Sequence, residues 1–72
     1  MDVTSIEKDL REFNNGHSFI AKSNLKRWLG VGYEPLSKFV AGMDYRIHGK
    51  SIEYHIKDVA VRFFEAEIIR RG

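Results

Sequence analysis

A chain of 72 residues, 43% hydrophobic and 31% charged, lies near the lower limit at which one apolar core holds a fold by itself, so every element must feed a single domain. It has no cysteine for disulfides or thiolate zinc ligands, no apolar run near the ~20 residues of a bilayer span, and no basic-then-apolar leader, and it therefore reads as cytoplasmic. The net charge of +2 is unevenly spread: residues 17–57 carry seven bases against three acids, residues 1–16 four acids against two bases, and residues 58–72 three of each. The middle of the chain is where an anionic partner would bind.

Thr4 followed by Glu7 fits a capping box, and Ile6, Leu10 and Phe13 recur at helical spacing until Asn14-Asn15-Gly16. This predicts a first helix over residues 5–14, an N-terminal extension within residues 1–16 whose other face is solvated and of mixed charge. His17 falls in the following loop. Ser18-Phe19-Ile20-Ala21 is too short for a helix and is expected to form a small strand or extended lead-in, presenting Ser23 as the cap of a second helix over residues 23–29.

Leu25, Trp28 and Leu29 share a helical face before Gly30, and Leu36, Phe39 and Val40 share one after it. Two apolar stripes meeting across a tight corner make a helix-turn-helix over residues 23–41. Gly30 and Gly32 bracket Val31 in the turn, where both are expected to use glycine's access to positive φ. Pro35 suits the first turn of a third helix that starts near Tyr33 or Glu34 and ends at Gly42, because its missing N–H would have no partner there.

After Gly42 the period becomes alternating. Tyr45 and Ile47 alternate with Arg46 and His48, Gly49-Lys50-Ser51 offers a turn, and Ile52, Tyr54 and Ile56 alternate with Glu53, His55 and Lys57. This predicts a hairpin over residues 45–57 with one buried face and with Tyr45 and Tyr54 packed inside it. Asp58 is expected to cap a last helix over residues 58–71, whose apolar face of Val59, Ala60, Phe63 and Phe64 is continued by Val61 and Ile68. So broad an arc either sits between the helix-turn-helix and the first helix or, in part, pairs two copies. Trp28 and the five phenylalanines coincide with the buried phase of their elements and are expected in the core.

A helix, a short strand, a helix-turn-helix, a β-hairpin wing and a C-terminal helix make the fold class α+β, a small winged helix-turn-helix occupying residues 1–72. The run Phe19-Ile20-Ala21-Lys22-Ser23-Asn24-Leu25-Lys26-Arg27-Trp28-Leu29-Gly30-Val31-Gly32 is followed by Leu36, Phe39 and Val40, by Tyr45, Ile47 and Gly49-Lys50, and by Tyr54-His55-Ile56-Lys57-Asp58-Val59. Over residues 18–63 this resembles the excisionase and MerR-like winged helix-turn-helix domains of phages and mobile elements. Gly32 stands where that family usually has serine, and Tyr33, Glu34, Ser37 and Lys38 replace its commonly arginine-rich recognition face. The resemblance implies a DNA-binding protein that acts in DNA recombination as a directionality factor, or in transcription regulation. It also implies cooperative self-association on DNA and an integrase or other protein partner.

On that reading the third helix enters the major groove with Tyr33, Glu34, Ser37 and Lys38 outward. Lys22, Asn24, Lys26 and Arg27 meet phosphates around the second helix. Arg46, His48 and Lys50, with His55, occupy the solvent face or tip of the wing and reach the adjacent backbone or minor groove. His48 and His55 are expected to face each other across the hairpin, but no third ligand is evident, so no metal and no cofactor is expected. No glycine-flanked nucleophile, paired carboxylates or phosphate-cradling loop is present, which argues against an enzyme. The alternative is a winged-helix protein–protein interaction module, of phage-assembly or anti-repressor type, without DNA binding. Charge discriminates the two: convergence of Lys26, Arg27, Lys38, Arg46 and Lys50 on one face would favour DNA binding, and Glu34, Asp44 and Glu53 breaking up that face would favour a protein partner.

Overall fold

The computed structural model of the protein describes the backbone of residues 2–71 and the side chains of residues 2–66. Its elements are α1 (Val3–Phe13), β1 (Phe19–Ala21), α2 (Lys22–Leu29), α3 (Tyr33–Val40), β2 (Arg46–His48), β3 (Ser51–His55) and α4 (Ile56–Arg71). This is the winged-helix-like α+β order, with α2 and α3 as the helix-turn-helix and β2–β3 as the wing. The strands form one antiparallel sheet in the order β1-β3-β2, so the wing is rooted in the body of the domain through β1. Among the described residues no helix is long and apolar enough to cross a membrane.

The helix ends correct the expected caps. α1 begins at Val3, and the cap is Asp2, whose Oδ1 accepts the Ser5 N–H at 2.8 Å. Aspartate adds a negative charge at the positive end of the helix, which Thr4 lacks. That same hydrogen bond holds the Asp2 carboxyl below the usual carboxylate range. α1 stops where predicted: Asn15 takes φ 57°, and the Gly16 N–H reaches back to the Arg11 carbonyl at 2.7 Å, the closing bond of a Schellman turn. Ser23 is not a cap, because β1 runs into α2 with no loop and extended Ala21 holds the cap position without a side-chain bond. α4 likewise starts two residues before Asp58, at Ile56; His55 Nδ1 accepts the Lys57 N–H at 3.2 Å, and Asp58 lies inside the first turn.

Gly30 has φ 68° and closes α2, as the turn requires. Gly32, in contrast, is extended at φ −80° and is simply the residue before α3. The expectation of positive φ at both glycines therefore holds only for the first.

The buried core is aliphatic: Ile6, Leu10, Ile20, Leu25, Leu36, Val40, Ile56, Val59 and Ala60, joined by Tyr54. No phenylalanine belongs to it. Phe39, Phe63, Phe64 and Trp28 cover its rim, with Trp28 meeting Phe63 edge-on at 4.9 Å, while Phe13 is largely exposed and Phe19 lies on the outer face of the sheet. An interior this small is filled by branched aliphatic side chains, and the larger rings close it over from outside. α4 packs along α1 and reaches the helix-turn-helix through Phe63 and through Arg62, which donates to the Phe39 and Ala41 carbonyls at 3.2 Å each. Ile68 lies outside the described side chains.

The wing has no continuous buried face. Its register sets Ile47 opposite Ile52 and Arg46 opposite Glu53, and alternation places Ile47, Ile52, Tyr54 and Ile20 on one side of the sheet. Tyr54 and Ile20 are buried there, but Ile47 is 69% exposed, Ile52 37% and Tyr45 61%. The tip extends past the helices, so packing ends at Tyr54; the Tyr45 ring touches Tyr54 at 6.4 Å but remains in solvent.

Candidate nucleic-acid interface

The direct passage from β1 into α2 places Lys22 at a corner of the sheet, facing the start of α3 on one side and the wing turn on the other. A cleft of about 270 Å³ opens there, lined by Ala21, Lys22, Ser23, Tyr33, Lys50, Ser51 and Ile52. Three stretches distant in sequence supply it: the β1–α2 junction, the start of α3 and the wing. The Lys26 ammonium stands 4.9 Å from the centre of the Tyr33 ring, a cation–π contact that holds a third positive charge beside Lys22 and Lys50. Among the described residues, no acidic side chain lines the cleft.

The other expected contacts are distributed differently. On α3, Glu34, Ser37 and Lys38 share the exposed face, where Lys38 Nζ lies 3.6 Å from Glu34 Oε1. Both partners are about four-fifths exposed, so the pair is weak, yet it reduces the net charge that this face offers. Arg27 turns to the opposite side of α2, its guanidinium carbon 5.9 Å from the centre of the Phe13 ring of α1.

Arg46 and His48 lie on the outer face of the sheet, where with Asn24 of α2 they line a separate groove together with Asn14, His17, Ser18, Phe19, Ala21 and Glu53. Arg46 is paired there, though half-exposed: its Nε donates to Glu53 Oε1 at 2.9 Å, and its guanidinium lies 3.6 Å from the centre of the Phe19 ring. His55 meets that ring edge-on at 5.0 Å. The register pairs His48 with Ser51 and His55 with Phe19, so the two histidines do not face each other as expected. The two-residue hairpin turn is shorter than the spacing such a pairing requires.

Residues not expected at the site from the sequence complete the geometry. Ser23, Ser51 and Ile52 line the cleft, and Asn14 fixes the sheet that carries it. Ser18 accepts a backbone bond from Ile56 at 2.9 Å, so Phe19, one residue on, directs its carbonyl away from β3, where the Asn14 amide donates to it at 2.6 Å. Arg62 plays the equivalent part for α3 by satisfying carbonyls at its C-terminal end. Burial, reinforced by neighbouring Tyr45, pushes the Tyr54 hydroxyl above its ordinary value. Compared with protein-family models, with curated proteins and with solved structures, the chain has no significant match, so the interface is defined by its own geometry.

Proposed function

We propose that the protein binds double-stranded DNA, with α3 in the major groove and the wing on the adjacent backbone or minor groove. The observation that carries this reading is the cleft between α2, α3 and the wing turn, where Lys22 and Lys50 converge, Lys26 stands over Tyr33, and none of the described acidic residues contributes to the lining. Lysines grouped around a helix-turn-helix are what phosphate contacts require. The role is binding, not catalysis.

The resemblance over residues 18–63 supports a narrower version: a recombination directionality factor working beside an integrase, or a transcription regulator, of phage or mobile-element type. Cooperative binding by several copies fits this version, because so small a domain offers too little interface for high specificity alone. The second reading, a protein-interaction module, is favoured by the Glu34–Lys38 pair in the middle of α3 and by the engagement of Arg46 with Glu53, because of the five cations expected to converge only Lys26 and Lys50 stand at the cleft, while Arg27 lies over Phe13. Fluorescence anisotropy of a labelled mixed-sequence duplex separates the two. Binding at about 50 mM salt that weakens strongly by about 200 mM is expected; no binding at the lower salt would reject the DNA reading.

A further inference from the structure

We propose that Ile47 and Ile52 form an apolar wedge with which the wing enters a minor-groove base step and kinks the duplex. This rests on the DNA-binding reading. The two isoleucines are direct cross-strand partners, one residue pair from the Gly49-Lys50 turn. Side chains so placed stand close enough to act as a single blade. At 69% and 37% exposure they lie beyond the point where the core stops. Their burial on folding is incomplete, so a solvated hairpin tip with polar side chains here would fold as well.

Position and charge identify what covers them. Ile52 lines the cleft that holds Lys22, Tyr33 and Lys50, so the blade opens on the lysine-bearing side of the domain. Glu53, the one acid of the hairpin strands, projects from the other face, where Arg46 holds it. An apolar edge beside Lys22 and Lys50 complements a polyanion with an apolar interior. A protein partner fits less well: a stable interface buries roughly 800 Å² on each side, far more than two isoleucines at a hairpin tip offer. One or two aliphatic side chains are, however, what minor-groove wedges insert between base steps. Because a kink falls most readily at a flexible pyrimidine–purine step, the wedge selects TA over stiff A-tract sequence.

The test uses the full chain and a short duplex with 2-aminopurine at its one TA step and a donor–acceptor dye pair at its ends, at about 50 mM salt. At saturation the wild-type protein should raise 2-aminopurine fluorescence several-fold, by unstacking, and raise energy transfer, by bending. The Ile47→Ser variant, changed at the wedge position outside the cleft lining, should bind within about threefold of wild type yet lose both signals, because phosphate contacts carry most of the affinity. Lys50→Ala should bind more weakly but still bend the duplex at saturation. If Ile47→Ser does not melt cooperatively, Ile47→Thr, which keeps the β-branched shape the strand favours, serves instead. Wild-type saturation without either signal, or a serine variant that keeps both, would overturn the wedge while DNA binding stands. Absence of wild-type binding would overturn both.

Discussion

Replacing Asn14 tests how the body of the domain holds the wing. Asn14 is 8% exposed, and its amide donates to the Phe19 carbonyl at 2.6 Å and to the His17 carbonyl at 3.4 Å. The first is a full hydrogen bond and the second is at the limit of one. In Asn14→Ala the bond is lost and the Phe19 carbonyl is left under the edge of the sheet, which costs about 2 kcal/mol. A domain of this size has roughly 4–11 kcal/mol of stability, so the expected fall in melting temperature is about 8–16 °C. Asn14→Asp is the sharper test, since at neutral pH it turns a carboxylate toward carbonyl oxygens and costs about 3–4 kcal/mol. The new carboxyl binds a proton more tightly in the folded state, where its protonated form can donate to Phe19. Stability of this variant relative to wild type must therefore rise as pH falls from 7 toward about 4 and fall as pH rises through that window. Thermal melts followed by circular dichroism at several pH values provide the assay. An Asn14→Ala melt within about 2 °C of wild type would refute this account, as would an Asn14→Asp deficit that is flat with pH.

The two turn glycines should respond with opposite sign. Gly30→Ala forces a side chain into φ 68° and should destabilise by about 1–2 kcal/mol, whereas Gly32→Ser meets only Pro35 Cδ at 4.0 Å, gains a helix cap and should stabilise by about 0.5–1 kcal/mol; equal losses in urea unfolding would contradict this. Asp2 has a folded-state value below its unfolded one, so its contribution is present at neutral pH and lost as pH falls through the folded value. The melting deficit of Asp2→Ala should accordingly shrink on acidification, and a constant deficit would be the contrary result. Lys22→Ala and Lys50→Ala should each lower the slope of log affinity against log salt by about 1, and Arg46→Ala by less because Glu53 already pairs with it. Equal slopes for the three variants in anisotropy titrations would refute the division of the surface.

Most of the architecture was legible because each apolar run has one period: Ile6-Leu10, Leu25-Leu29 and Leu36-Val40 are helical, and Tyr45–Ile56 alternates. The junctions were not. At Ala21-Lys22 and His55-Ile56 a strand becomes a helix with no loop between them, so no polar cluster marks the change, and Ser23 and Asp58 were misassigned as caps. Alternation shows which side chains share a sheet face but not how far along that face the core extends, which is why Ile47 and Tyr45 were expected inside. At the site, the convergence of Lys22, Tyr33 and Lys50 depends on the sheet order β1-β3-β2, which brings the wing beside the start of α2. Arg46 looked free in sequence because its partners, Glu53 and Phe19, come from two different strands. The Asn14 and Arg62 bonds to distant carbonyls carry no local pattern at all.

The central claim is that the cleft between α3 and the wing is a DNA surface. Its most direct test is a titration of ¹⁵N-labelled protein with a short mixed-sequence duplex, followed by backbone amide shifts at about 50 and 200 mM salt. Salt-sensitive shifts at Lys22, Lys26, Tyr33–Lys38 and Lys50–Ile52, with α1 unmoved, are predicted. Shifts confined to the outer groove around His17 and Asn24, or none at the lower salt, would contradict the claim.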